Sequence, residues 1–291
     1  MPVHLYTISL NEADMLGFFF RHFDPWVDRY VIFDDGSTDG TQEILRDHPR
    51  VDLRRFERSH ADSFVASHQD MQNHSWKESR GEANWVVVTA IDEHLHVPGV
   101  AMRDYLEQCR QMRVTLLHAM GFQIVSEKFP GPDELLCETR TSGAPFAHFS
   151  KLSIFDPVAI EETRFEPGRH TASPKGRIRL PRRDELLLLH YKNIGFDRLF
   201  ERHRLLKSGL RSVDKKQPWS KKYDWSRERL RRDWNLFADA AVDISAEDFR
   251  AIDWHRDRRW WRSGWKLRRW LGLVSTDILF LPRPPPGQWE E

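Results

Sequence analysis

Two short apolar runs in this chain each end abruptly in carboxylates. Tyr30-Val31-Ile32-Phe33 leads into Asp34-Asp35-Gly36-Ser37-Thr38-Asp39-Gly40-Thr41, and Trp85-Val86-Val87-Val88-Thr89-Ala90-Ile91 leads into Asp92-Glu93-His94. Apolar runs without polar alternation read as strands covered on both faces, as in a parallel sheet. Open α/β sheets gather ligands at the carboxyl ends of their strands. Acidic groups at two such ends therefore point to one shared site, and a nucleoside diphosphate with a divalent cation is its simplest occupant.

The flanking pattern supports a doubly wound α/β fold. Val3 to Leu10 reads as a strand, and Asn11 is placed to cap a helix with Met15, Leu16, Phe19 and Phe20 on one face. The turn at Ser37 to Gly40 opens a second helix through Ile44 and Leu45, and Val51 to Phe56 reads as a third strand. A helix over Phe64 to Glu78 precedes the strand Trp85 to Ile91, and another follows Pro98 through Met102, Tyr105, Leu106 and Cys109. This β-α-β-α-β order predicts a mostly parallel sheet covered by helices. From Val114 shorter strands follow, including Leu152 to Phe155 and Leu186 to Leu189; from Phe196 to Trp234 the chain turns helical and charged. The expected division is a ligand-binding α/β domain over 1–195 and a helical, Trp/Arg-rich region over 196–291, with an extended tail around Pro282 to Gly287.

Composition narrows the function classes. A formal net charge of +1 gives the chain as a whole no case for a polyanionic partner, which argues against nucleic acid. Cys109 and Cys137 are the only cysteines and lack zinc-type spacing, so neither a disulfide framework nor a cysteine metal site is expected. The opening residues carry no signal-peptide pattern and no window has bilayer-spanning length, so cytoplasmic residence is expected.

Several residues carry candidate chemistry. Asp35 could accept the imide proton of a uracil or bond a ribose, and Asp39 could do likewise or cap the following helix. The whole stretch also reads as a turn that satisfies its own backbone donors. If the strand continues past Ile91, Asp92, His94 and His96 share one face, and a carboxylate beside an imidazole can reach one Mn²⁺ or Mg²⁺ ion. His94 and His96 also read as ordinary loop histidines. His190 ends the four-leucine strand, where it could be a further metal ligand, and Lys192 could touch a phosphate. In the loop Arg164-Phe165-Glu166-Pro167-Gly168-Arg169-His170, Arg169 could grip phosphate, and Glu166 or His170 could serve as a base. The same loop also reads as an exposed turn.

With these residues in place the chain resembles a family 2-type glycosyltransferase of the GT-A fold, in the bacterial glycosyltransferase-like group. The resemblance rests on Asn11-Glu12, on Asp34 to Thr41 and on Asp92-Glu93, with Ser150-Lys151, His170 and His190-Tyr191 in later places. It implies a nucleotide-sugar donor, UDP-linked in the first instance, with Mn²⁺ or Mg²⁺. It also implies transfer to the hydroxyl of a glycan or lipid-linked acceptor in cell-surface glycan synthesis. Thr7, Asn11 and Glu12 would edge the nucleotide pocket, Asp35 would meet the base and Asp92 would hold the metal. The family usually has Asp-x-Asp, where this chain has Ala90-Ile91-Asp92. Either Asp92 is the second acid, or Asp92-Glu93-His94 is an Asp-x-His variant. The latter is similar to the polypeptide N-acetylgalactosaminyltransferases, where a distant histidine completes the metal shell; His190 would take that place. Asp133 and Glu134 stand behind Glu166 as candidate bases.

A rival reading starts from Trp254 to Trp270, where five tryptophans interleave with arginines and a lysine. That composition suits peripheral contact with a membrane face or a partner, on a GT-A-like domain that no longer catalyses. The same tryptophans could instead pack against the preceding domain.

Overall fold

The structure is a computed structural model that describes residues 1–183, 185–247 and 249–255. In chain order the strands are β1 (Val3–Ser9), β2 (Arg29–Asp34), β3 (Val51–Arg55), β4 (Trp85–Val88), β5 (Glu93–His96), β6 (Leu116–Ser126), β7 (Ser142–Pro145), β8 (Lys151–Phe155), β9 (Ile160–Glu162), β10 (Lys175–Gly176), β11 (Leu187–Ile194) and β12 (Val242–Asp243). The helices are α1 (Ala13–Phe23), α2 (Thr41–Asp47), α3 (Phe64–His74), α4 (Met102–Gln111), α5 (Leu136–Thr139), α6 (Phe196–Gly209), α7 (Ser212–Lys215), α8 (Arg227–Asp239) and α9 (Ala251–His255).

The strands β3, β2, β1 and β4 lie side by side and are parallel. Beyond β4 the sheet becomes mixed. β8 is antiparallel to both β4 and β6, β11 is parallel to β6, and β5 is antiparallel to β11. Following these pairings, only β5, β7 and β8 of the ten-stranded sheet oppose the common direction. The expected mostly parallel sheet is present, and its apolar runs explain it: Val31, Ile32, Val86 and Val87 are wholly buried.

One face packs on α1 and α4 through Met15, Phe19, Phe23 and Leu106, and on the other Phe155 of β8 packs with Trp76 and Phe165. β7 and β8 pair with successive stretches of β6, separated by a 3-10 turn, Ala147–Phe149. Gly121 makes that turn possible. A side-chain carbon there would meet the Phe149 carbonyl carbon at 2.3 Å, so only glycine lets the turn lie against β6.

After β11 the chain returns to the same body. α6 and α8 bury Phe196, Leu199, Leu230 and Trp234 against Val125 of β6, and β12 extends the sheet beside β7. Of the segment Trp254 to Trp270, only Trp254 and His255 are described, and Trp254 packs against the main core. The rest of that segment and the Pro-rich tail lie outside the described residues. Among the described residues no helix is long and apolar enough to cross a membrane.

Candidate functional site

The carboxyl ends of β1 and β2 are knitted together by their own side chains. Asp34 accepts hydrogen bonds from the Gly36 and Ser37 backbone amides and from Gln42, each at 2.9 Å. Asn11 adopts a left-handed backbone (φ 50°), which asparagine tolerates, and its side chain accepts from the Thr38 amide at 2.7 Å. It does not cap α1; that place falls to Glu12, whose amide donates to Thr41 Oγ1. Asp39 accepts from the Thr41 amide and hydroxyl and from the Ala13 amide. Both of its oxygens serve the loop, while the N-cap position of α2 itself is Gly40. Thr7 is buried within β1, where its hydroxyl turns to the Ile8 carbonyl, so it does not edge a pocket.

Asp92 lies in the turn between β4 and β5, its backbone carbonyl accepting from the Tyr191 amide at 2.7 Å. That register sets His190 of β11 opposite Glu93 and brings His190 Nε2 to 3.7 Å from Asp92 Oδ2. The tautomer of His190 is fixed by its neighbour. Gln123 donates through Nε2 to the carbonyls of Ile124 and His190, so its Oε1 must accept from His190 Nδ1, at 2.6 Å. Burial drives the His190 pKa down to about 4 against the pull of Asp92, leaving the ring neutral near pH 7. A neutral imidazole nitrogen therefore turns its lone pair toward a carboxylate.

Such a pairing suits a divalent cation, with Gln123 in the orienting role usual for metal-bound histidines. Among the described residues no group of three His, Cys, Asp or Glu side chains gathers tightly enough to enclose a metal. A cation here would have two protein ligands and would draw its remaining oxygens from water or a phosphorylated ligand, a habit typical of Mg²⁺.

The turn at Asp92 breaks the predicted alternation. Because β5 begins at Glu93, His94 does not share a face with Asp92; its ring lies in the core, stacked on His22 at 4.6 Å and edge-on to Tyr191 at 4.8 Å. The structure removes His94 from the metal ligands. Arg169 also changes role. Its side chain is buried, donating to the Val88 and Leu152 carbonyls and pairing with Glu93, so it grips no phosphate. Lys151 Nζ meets the other Glu93 oxygen at 2.5 Å. Burial alone would raise the Glu93 pKa, but Lys151 and Arg169 hold it far below the usual carboxylate range. Two buried cations on one anion thus stand directly behind the Asp92 turn.

Glu166 is exposed on its loop, and His170 bonds through Nδ1 to the His148 carbonyl with its ring stacked on His148 at 3.6 Å. Neither reaches Asp92 by any hydrogen bond or ion pair among the described residues. Phe149 separates the two halves of this region, its ring 4.3 Å from His190 and 6.3 Å from His170. Of the reserve bases, Glu134 pairs with Arg140 and caps the Gly131 amide.

Sequence reasoning missed the contribution of the helices after β11. Arg202 of α6 donates to the carbonyls of Leu10 and Asn11 and pairs with Glu12, and Arg198 lies 3.7 Å from the same carboxylate. Burial pushes the Glu12 carboxyl up to about 7 against the pull of Arg202, and the Asp92 carboxylate adds to the rise. Burial likewise lowers Lys192 to about 7, helped by Lys222 and opposed by Asp92. Half-buried Asp233 of α8 faces the same lysines, and burial raises its pKa. Trp234, next to it, donates to the Asn193 carbonyl at 3.1 Å and so fixes α8 over the end of β11. In the sequence Arg198, Arg202, Lys222, Asp233 and Trp234 sat in an undifferentiated charged run, with no motif to mark them.

The predicted residues thus separate into two neighbourhoods. Asp92, His190, Glu12 and Lys192 form one electrostatic group. Asp35 lines an open cavity of about 840 Å³ between the ends of β2 and β3, whose lining does not include Asp92 or His190. Both Asp35 oxygens accept from Arg58 Nη2, at 2.8 and 2.6 Å.

No protein-family model and no curated protein matches the chain. Among solved structures, "Crystal structure of 4-diphosphocytidyl-2C-methyl-D-erythritol synthase" aligns over 54% of this chain and 76% of that one, at 10% identity and a TM-score of 0.32. Similarity at that level bears on neither the fold nor the function of this chain.

Proposed function

We propose that the chain binds a nucleoside diphosphate-sugar, in the first instance UDP-linked, and transfers its sugar to an acceptor hydroxyl. The observation that carries this reading is the Asp92–His190 pair, with the imidazole lone pair fixed by Gln123 and aimed at the carboxylate. Mn²⁺ or Mg²⁺ held by Asp92 and His190 would neutralise negative charge on the donor's diphosphate. Lys192, lowered by burial to about 7, adds positive charge near Asp92 when protonated.

In the transfer itself the acceptor oxygen loses its proton to a base and forms a bond to the anomeric carbon. The carbon–oxygen bond to the diphosphate breaks, and its electron pair leaves with that group. Asp233 is a better-supported base than Glu166 or His170, since it is half-buried, has a raised pKa and neighbours Lys192. A glycan or lipid-linked acceptor, and peripheral membrane contact through the segment after Trp254, belong to this proposal as expectations.

The test is titration calorimetry of UDP with Mn²⁺. Wild type should bind in a cation-dependent manner, and Asp92→Ala should lose that dependence while its melting temperature stays near wild type. Cation-dependent binding that survives in Asp92→Ala would remove the reading.

A further inference from the structure

The cavity beside Asp35 has a character that its sequence motif conceals. Arg46, Arg54, Arg55, Arg58 and Arg211 line it, against three carboxylates. Three of these guanidinium groups are held in position. Arg58 is anchored by both oxygens of Asp35 and lies over the rings of Phe56 and Phe64, at 6.0 and 5.3 Å from their centroids. Arg54 is fixed by Asp52 and Glu78, and Arg46 donates to Gln42 at 2.5 Å.

Arg211 comes from the far end of the chain and is delivered by a buried clasp. Asp214, 1% exposed, accepts from the Ser63 hydroxyl at 2.6 Å and the Phe64 amide at 2.7 Å, and also from the Arg211 amide. Arg55 and Arg211 are both exposed, and among the described residues no ion pair joins either to a carboxylate, although the charge of Arg211 acts on Asp35. Three held guanidinium groups, together with two that no ion pair neutralises, around a cavity this large fit an anion with flat arrays of acceptor oxygens, carried on a body bigger than a bare ion.

We propose that this cavity is a phosphate-binding site, distinct from the Asp92–His190 pair, that receives the phosphate end of a phosphorylated sugar or nucleoside. Asp35 serves it as a positioning residue for Arg58. The assignment stands on the arginines and does not require Asp92 and His190 to hold a cation.

Inorganic pyrophosphate titrated into the full chain in EDTA is the direct test. Wild type should bind without any divalent cation. Arg211→Ala and Arg55→Ala, exposed positions whose loss leaves no buried partner, should each weaken binding roughly tenfold. Arg58→Lys should also weaken it through loss of the planar fork, and Asp92→Ala should leave it unchanged. Ribose 5-phosphate and uridine monophosphate, titrated the same way, identify which body carries the phosphate; binding of either should again depend on Arg211. The assignment is overturned if pyrophosphate fails to bind in EDTA, or if it binds Arg211→Ala and Arg55→Ala as tightly as wild type. Loss of Mn²⁺–UDP binding in Asp92→Ala is read separately, so failure of one proposal leaves the other intact.

Discussion

At the residue scale, the feature that matters most is a proton whose position is fixed by an amide. Gln123 occupies His190 Nδ1 and so leaves Nε2 open to the proposed cation. Replacing Gln123 with Leu removes that constraint, and with it the bonds to the Ile124 and His190 carbonyls, while keeping the Asp92 and His190 side chains. Mn²⁺-dependent UDP binding should then weaken roughly 10- to 100-fold, the usual cost of losing a partner that orients a metal-bound histidine. Calorimetry reads the loss, and a thermal melt confirms that the fold survives. His22 shows the opposite use of a buried imidazole. It is enclosed in the core, bonded to the Leu95 carbonyl at 2.8 Å, and burial lowers its pKa from 6.5 to about 4. Its folded pKa lies below its unfolded one, so the stability from keeping it neutral is complete above pH 6.5 and is lost as pH falls toward 4. The full loss is up to about 3 kcal/mol. Urea midpoints at neutral and mildly acidic pH should show it, and His22→Phe should flatten the dependence.

At the scale of elements, the ion triad behind the Asp92 turn joins three separate segments. Glu93 on β5 binds Lys151 on β8 and Arg169 beyond β9. Glu93→Gln would leave two buried cations without their anion, at a cost of about 3–5 kcal/mol. Denaturant unfolding should show that loss, and Mn²⁺-dependent binding should fall with it because the turn carrying Asp92 is loosened. This triad also shows where sequence reading stops. β1, β2 and β4 were legible because their apolar runs are buried on both faces, and Asp92 follows such a run; His190, expected at a strand end, instead lies within β11, which continues to Ile194. β5 was hidden, since Glu93-His94-Leu95-His96 has no strand-like composition, yet it is paired throughout with β11. Its register sends the His94 ring into the core. Arg169 misled for a related reason: a Pro-Gly loop rich in charge reads as exposed, and nothing local reveals that Glu93, distant in sequence, draws the guanidinium inside. Gly121 was equally silent, because its role is to make room for Phe149 across the sheet.

For the whole molecule, the helices after β11 complete both neighbourhoods instead of standing apart from them. Arg202 clasps the loop at Leu10 to Glu12 on one side, and Asp214 clasps the start of α3 on the other. Asp214 is the more exacting of the two, since a buried carboxylate must be fully bonded to be tolerated. Burial would raise its pKa, but the Ser63 hydroxyl and the Arg211, Phe64 and Val65 amides together hold it below the ordinary carboxylate value of 3.8. Its contribution is therefore present at neutral pH and above the unfolded value, and it disappears as pH falls through the lowered one. Asp214→Ala should cost about 2–3 kcal/mol, with hydrogen bonds to a charged group at the upper end of their usual range. The loss has a location as well as a size. Residues 210–217 should become cleavable in limited proteolysis while the parallel half of the sheet stays protected. Pyrophosphate binding should weaken because Arg211 is no longer delivered to the cavity, whereas Mn²⁺-dependent binding at Asp92 should persist through the separate Arg202 clasp. A variant that loses both bindings together would show that the two clasps act as one unit.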